Sequence, residues 1–176
     1  IDYLHVRKQV HRDLKPENIM FRRKPNPQQI PDPVLIDFGL SEKRDMRQQE
    51  DSINAATVAY ASPTWIKSSR AAAQRDENVN ATALLPNPFA YDMWSLGVIG
   101  FEVFNERYAF GSVNVERVAL EDRILALQFE RMSSVVPPGI RNIIEMLLIP
   151  QDGKRLSVDR FLHELEANSG FVSPRL

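Results

Sequence analysis

His11-Arg12-Asp13-Leu14-Lys15-Pro16-Glu17-Asn18 places an acid, a cation and an amide at fixed offsets just before a short apolar run, Ile19-Met20-Phe21. Phosphoryl transfer needs those three groups. A carboxylate orients the attacking hydroxyl, a cation neutralises charge developing on the transferred group, and an amide oxygen suits Mg²⁺, which prefers hard oxygen donors. Further on, Val34-Leu35-Ile36 runs into Asp37-Phe38-Gly39, an aspartate at a strand end beside a permissive glycine, which supplies a second oxygen ligand. Prolines at 25, 27, 31 and 33 lie between the two apolar runs and forbid a helix there. Residues 17–23 and 33–38 therefore read as a hairpin with a long polar connection.

Outward from this region the chain divides into loops and helices. Residues 41–56 and 66–90 are polar and unpatterned and read as loops, the second with a short Ala-rich helical turn at 71–74. From Tyr91 the signal is helical: Met93, Trp94, Leu96, Val98, Ile99, Phe101 and Val103 surround their helix on nearly every side, the pattern of a buried central helix. Leu120, Ile124 and Leu127 share a face, as do Ile140, Ile143, Ile144 and Leu147 after Pro137-Pro138-Gly139. Ser157 caps a last helix with Val158, Phe161, Leu162 and Leu165 on one side.

The chain has 176 residues, 43% hydrophobic and 26% charged, which is the make-up of one ordinary folded domain and not of a disordered or fibrous chain. Twenty-two Lys and Arg against 23 Asp and Glu leave a net charge of −1, so no global basic excess collects nucleic acid or anionic lipid, and phosphate affinity has to be local. No apolar run reaches the roughly 18 residues of a membrane span. The absence of cysteine excludes disulfides, zinc-thiolate sites and a thiol nucleophile, and with the lack of a targeting signal directs the expectation to cytoplasm or nucleus. The chain opens on Ile1 in what reads as the last turns of a helix, so it is expected to be a segment of something longer.

The catalytic octet, Asp37-Phe38-Gly39, Thr57-Val58-Ala59-Tyr60-Ala61-Ser62-Pro63, Asp92-Met93-Trp94-Ser95-Leu96-Gly97 and Arg155 together resemble the eukaryotic-type protein kinases, serine/threonine type, in the order that family shows. The resemblance implies an α+β family fold, of which residues 1–176 are the mainly α-helical C-terminal lobe with a small β-hairpin region: catalytic loop 11–18, activation segment 37–64, helical body 91–168. It makes Asp13 the catalytic aspartate, Lys15 the phosphate-contacting lysine, Asn18 and Asp37 the magnesium ligands, and Met20 a floor under the adenine of ATP. Thr57 matches the threonine that reaches towards Asp13 and Lys15. Arg12 resembles the arginine that holds a phosphorylated activation loop, with Ser52 as the expected acceptor of that phosphate. The implied activity is transfer of the γ-phosphoryl group of ATP to a Ser or Thr hydroxyl of a protein, with ATP, Mg²⁺ and a protein substrate as partners and neither nucleic acid nor membrane.

Two departures qualify that implication. The Gly-rich strand pair, its lysine and the helix glutamate that positions it are expected before Ile1, so the chain alone is expected to bind ATP weakly and to have little activity. Ser62-Pro63-Thr64 stands where the family has Ala-Pro-Glu. The missing glutamate partners the arginine matched by Arg155, and losing one side of a buried pair costs about 3–5 kcal/mol. Arg155 is then expected to be exposed or to find another carboxylate, and Asp152 stands close by in sequence. Two other classes stay open: a pseudokinase or truncated lobe acting as a scaffold, and a small-molecule phosphotransferase, against which Lys15-Pro16, Phe38 and the segment around Thr57 argue. His11 reads as a packed core residue, as do Trp94 and Phe38, and His5 and His163 lack partners at metal-ligand spacing. Arg22-Arg23-Lys24 reads as a solvated loop, and Asn80-Ala81-Thr82 as a chance glycosylation triplet.

Overall fold

The computed structural model describes residues 1–22, 31–43, 58–73 and 87–169. In chain order these form α1 (Asp2–Val6), β1 (Gln9–Val10), a 3₁₀ turn (Pro16–Asn18), β2 (Ile19–Phe21), β3 (Pro33–Leu35), β4 (Glu42–Lys43), α2 (Pro63–Ala73), α3 (Pro88–Asn105), α4 (Arg117–Leu125), α5 (Pro138–Leu147) and α6 (Val158–Ser169). β2 and β3 pair antiparallel with Met20 opposite Val34, which is the hairpin expected from the two apolar runs. β1 and β4 make a second, two-residue ladder with Gln9 opposite Lys43. So short a strand has no periodicity of its own, and it corrects the reading of 41–43 as loop.

α3 forms the core. Pro88 sits in its first turn, where a missing N–H loses no bond, and Trp94, Val98 and Phe101 are completely or almost completely buried. One side packs with Val58, Ile66, Phe110, Leu120 and Ile124, and Met93 on another side joins Ile143, Leu147 and Leu156. Trp94, Phe110 and Phe129 cluster by their rings, with centroids 4.7–6.2 Å apart. α5 and α6 form as the apolar faces require, and Ser157 Oγ accepts from the Arg160 N–H at the start of α6. Among the described residues no helix is long and apolar enough to cross a membrane.

α2 corrects the expectation of a loop with one helical turn at 71–74. Pro63 opens it, Ser62 Oγ accepts from the Trp65 N–H at 3.2 Å as an N-cap, and Ile66 is fully buried. Arg70 then ties it to α4, with Nε 2.7 Å from Glu121 Oε2 and Nη2 2.8 Å from Asp122 Oδ1, while Arg117 Nε holds the other Glu121 oxygen at 2.8 Å. A cap and distant ion pairs thus add to the burial of Ile66 in holding the helix, and neither has a periodic signature. The remainder of the 66–90 stretch from residue 74 to 86 lies outside the described residues, as do the 23–30 connection and Asn80-Ala81-Thr82.

α3 and α5 touch through Gly97. A Cβ there would stand 2.8 Å from Leu147 Cβ and 3.0 Å from Leu148 Cδ2. Alanine would gain up to about 1 kcal/mol of helix propensity, but overpacking a filled interior costs roughly 1–3 kcal/mol. Packing wins, because two backbones would have to separate. Gly97→Ala is therefore expected to lower the thermal midpoint in a calorimetric scan while leaving the helical circular-dichroism signal intact, and an unchanged or raised midpoint would contradict the contact.

Candidate active site

The octet folds into a loop suspended from α3. Asp92, fully buried, accepts from the His11 N–H through Oδ2 and from the Arg12 N–H through Oδ1, each at 2.9 Å. His5 Nε2 lies 2.9 Å from Asp92 Oδ2, and because an ionised carboxylate only accepts, that nitrogen carries the hydrogen. Arg12 sits at φ 67°. A left-handed backbone at a non-glycine residue is worth about 1–3 kcal/mol of strain. The bond from Asp92 to the Arg12 N–H helps to hold it.

The side chains that follow converge on Asp13. The Asp13 N–H donates to His11 Nδ1 at 3.3 Å, and His11 Nε2–H donates to the Ile36 carbonyl at 3.1 Å, so one neutral ring links the octet to the strand entering Asp37-Phe38-Gly39. His11 is fully buried with Phe38 beside it, centroids 5.0 Å apart, which agrees with its reading as a packed residue. Lys15 Nζ stands 2.7 Å from Asp13 Oδ2. Asn18 Nδ2 donates to the same oxygen at 3.0 Å and to the Asp13 carbonyl at 2.8 Å. Oδ1 is buried and, among the described residues, has no hydrogen-bond partner. Asp13 thus has one oxygen held by a cation and an amide and one left open.

Asn18 and Asp37 are brought together by the backbone: the Ile36 N–H donates to the Asn18 carbonyl at 3.0 Å. Both hydrogens of the Asn18 amide are used on Asp13, so its side-chain oxygen is the atom that could ligate a cation. Asp37 is exposed at φ 58°, and its Oδ1 accepts from the Gly39 N–H at 3.2 Å. A hard amide oxygen beside a solvent-facing carboxylate fits Mg²⁺. Met20 and Phe21 lie exposed on β2, and Ile36 and Phe38, which follow β3, are exposed as well, so Phe38 is not the packed core residue its sequence reading expected. Thr57 and Ser52 lie outside the described residues.

The segment from Val58 to Ser62 is buried and anchored to α3 as well. Ser95 Oγ donates to the Tyr60 carbonyl at 2.8 Å, and Tyr60 Oη donates to Glu102 Oε2 at 2.8 Å. Burial, then the adjoining Glu102 carboxylate, push the Tyr60 hydroxyl far above the usual phenol range, and burial likewise raises Glu102.

At the end of this segment the structure answers the question raised by Thr64. Arg155 is not exposed: its side chain is 0% accessible and that of Asp152 4%, with Nη1 3.0 Å from Asp152 Oδ1. Thr64 Oγ1 donates to the same Oδ1 at 3.0 Å. The guanidinium also donates to the carbonyls of Ile149, Pro150 and Ala90, and lies over Trp94. A local carboxylate thus replaces the missing glutamate.

What sequence reasoning missed is the part played by Asp92 and Ser95, quoted there only within a motif, and by His5. Asp92 did carry a signal: a carboxylate set among the apolar residues of the first turns of α3 has to be paired once buried.

An open carboxylate oxygen braced by lysine and asparagine, a second carboxylate reached through one backbone bond, and a loop tethered to a buried helix are arranged as the motifs of the protein kinase family lead one to expect. The chain belongs to that family: the sequence profile described as "Protein kinase domain" matches residues 1–165. It is 31% identical over 157 residues to a calcium/calmodulin-dependent protein kinase of Metarhizium anisopliae, covering 88% of this chain and 36% of the relative. It is 31% identical over 166 residues to death-associated protein kinase 2 of Homo sapiens, covering 92% and 39%. CBL-interacting serine/threonine-protein kinase 20 of Arabidopsis thaliana matches at 27% over 173 residues, 97% of this chain and 34% of the relative. The chain therefore spans between a third and two fifths of the length of these relatives.

Proposed function

We propose that this chain is the helical C-terminal lobe of a serine/threonine protein kinase that transfers the γ-phosphoryl group of ATP to a Ser or Thr hydroxyl of a protein. The observation that carries this reading is the division of labour at Asp13: Oδ2 is fixed by Lys15 and Asn18, while Oδ1 is buried and open. Oδ1 accepts the hydrogen of the incoming hydroxyl and aligns its oxygen for attack. Lys15, 2.7 Å away, holds positive charge beside the transferred group. Asn18 and Asp37 would hold Mg²⁺, which supplies neutralisation of phosphate charge when bound.

The similar proteins are named as protein kinases, two of them with calcium/calmodulin or serine/threonine in the name, and this supports a protein substrate over a small molecule. The exposed apolar residues Met20, Phe21, Ile36 and Phe38 fit a nucleotide cleft whose other wall is a Gly-rich lobe of the same polypeptide. The isolated chain then binds ATP weakly and transfers little phosphate.

The test uses a polypeptide joining this chain to such a lobe, incubated with ATP, Mg²⁺ and a generic protein substrate, with the product read by mass spectrometry. Phosphoserine or phosphothreonine is expected, and the 176-residue chain alone is expected to give little of either. Phosphotransfer only to a small-molecule acceptor such as choline or an aminoglycoside, or ATP binding with no transfer, overturns the reading.

A further inference from the structure

At the end of the Val58–Ser62 segment the carboxylate that neutralises Arg155 comes from outside the segment. Asp152 Oδ1 accepts from two groups, the Arg155 guanidinium at 3.0 Å and the Thr64 hydroxyl at 3.0 Å. Both acid and base lie between residues 150 and 156, and Asp152 and Arg155 are each less than a tenth exposed. Thr64, in the first turn of α2, brings only a neutral hydroxyl.

The geometry points to Asp152 as a positioning residue that holds the end of this segment through one hydrogen bond, so that the segment can release without stranding a buried charge. When the Thr64 hydroxyl leaves, Arg155 keeps Asp152 and the carbonyls of Ile149, Pro150 and Ala90. Were the acid on the segment itself, the same motion would leave an uncompensated guanidinium in a site from which water is excluded. The latch is therefore weaker than the ion pair with which it shares Asp152 Oδ1. That the segment receives the substrate peptide rests on the proposed function, whereas the latch does not.

Amide hydrogen exchange on the 176-residue chain separates the two jobs of Asp152. Thr64→Val removes the hydroxyl and keeps the shape. Exchange over residues 58–66 is expected to rise roughly tenfold, as for loss of a hydrogen bond to a charged acceptor, with the thermal midpoint lowered by only about 3–6 °C and His11 and Arg12 remaining the better protected. Asp152→Asn is expected to lower the midpoint far more, because Arg155 loses its counter-charge. Adding Thr64→Glu to Asp152→Asn returns a carboxylate to the site and is expected to recover the lost midpoint. Unchanged exchange over 58–66 in Thr64→Val overturns the latch, as does a midpoint loss equal to that of Asp152→Asn. A double variant no more stable than Asp152→Asn overturns the replacement of a segment carboxylate by Asp152. None of these readouts needs catalytic activity, so the latch can fail while the kinase reading stands, and the reverse.

Discussion

Asp13→Asn, made in a polypeptide that carries both lobes, is expected to lower kcat by about 10²–10⁴, the range a positioned acid–base group contributes. At roughly 1.4 kcal/mol per decade this is about 3–5 kcal/mol of transition-state stabilisation. The side chains are nearly isosteric, so the loss comes from which atom faces which. An asparagine has one accepting oxygen. If that oxygen stays towards Lys15 Nζ and Asn18 Nδ2, as Asp13 Oδ2 does, the NH₂ occupies the Oδ1 position and presents donors to a hydroxyl that needs an acceptor. If it turns the other way, the NH₂ faces two donors. Neither orientation restores the arrangement. Because Asn18 and Asp37 are untouched, affinity for Mg²⁺ and ATP is expected to persist, and steady-state kinetics should show the loss in kcat with KM for ATP largely unmoved. A variant with near-parental kcat would remove Asp13 from the mechanism.

The second large effect is on stability. Asp92→Ala strips the acceptor from two backbone N–H groups and from His5 in a fully buried place. Each buried donor left unsatisfied costs about 1–3 kcal/mol, and the strain at Arg12 loses one restraint. A total of about 3 kcal/mol or more is a large part of the 5–15 kcal/mol that holds an average domain. For a chain of this size the thermal midpoint should fall by roughly 6–12 °C or more. Asp92→Asn keeps one accepting oxygen and should fall less. A midpoint within about a degree of the parent for Asp92→Ala would mean that the loop is held by something else.

The octet was legible because its chemistry is local: Asp13, Lys15 and Asn18 meet at one carboxylate and lie within six consecutive residues. α3, α5 and α6 were legible because burial writes a period into the sequence, and the β2–β3 hairpin because prolines separated its runs. What was not legible depends on distance along the chain. His11 and Asp92 are 81 positions apart, and nothing near either residue announces the other. α2 was missed for a related reason: Pro63-Thr64-Trp65-Ile66-Lys67-Ser68-Ser69-Arg70 has few apolar residues, and its anchor to Glu121 is 51 positions away. Arg155 was half legible. The sequence showed that its usual partner was gone and that Asp152 stood nearby, but only the fold shows that both are buried and share Thr64.

α3 holds several parts of this region at different points of its length: the octet at Asp92, the Tyr60 backbone at Ser95, the Tyr60 hydroxyl at Glu102, and Arg155 at the Ala90 carbonyl. A single rod is in effect the ruler of the active site. Distances between its graduations do not change when the rod as a whole is displaced. Substitutions where α3 rests on α5, at Gly97 or Leu147, are thus expected to change how long the molecule survives heating, while the relative placement of the octet and the Val58–Ser62 segment in the surviving molecules stays the same. The effects of sequence change are in that way divided: on stability alone beneath the rod, and on the geometry of the site at the few side chains that fasten other elements to it.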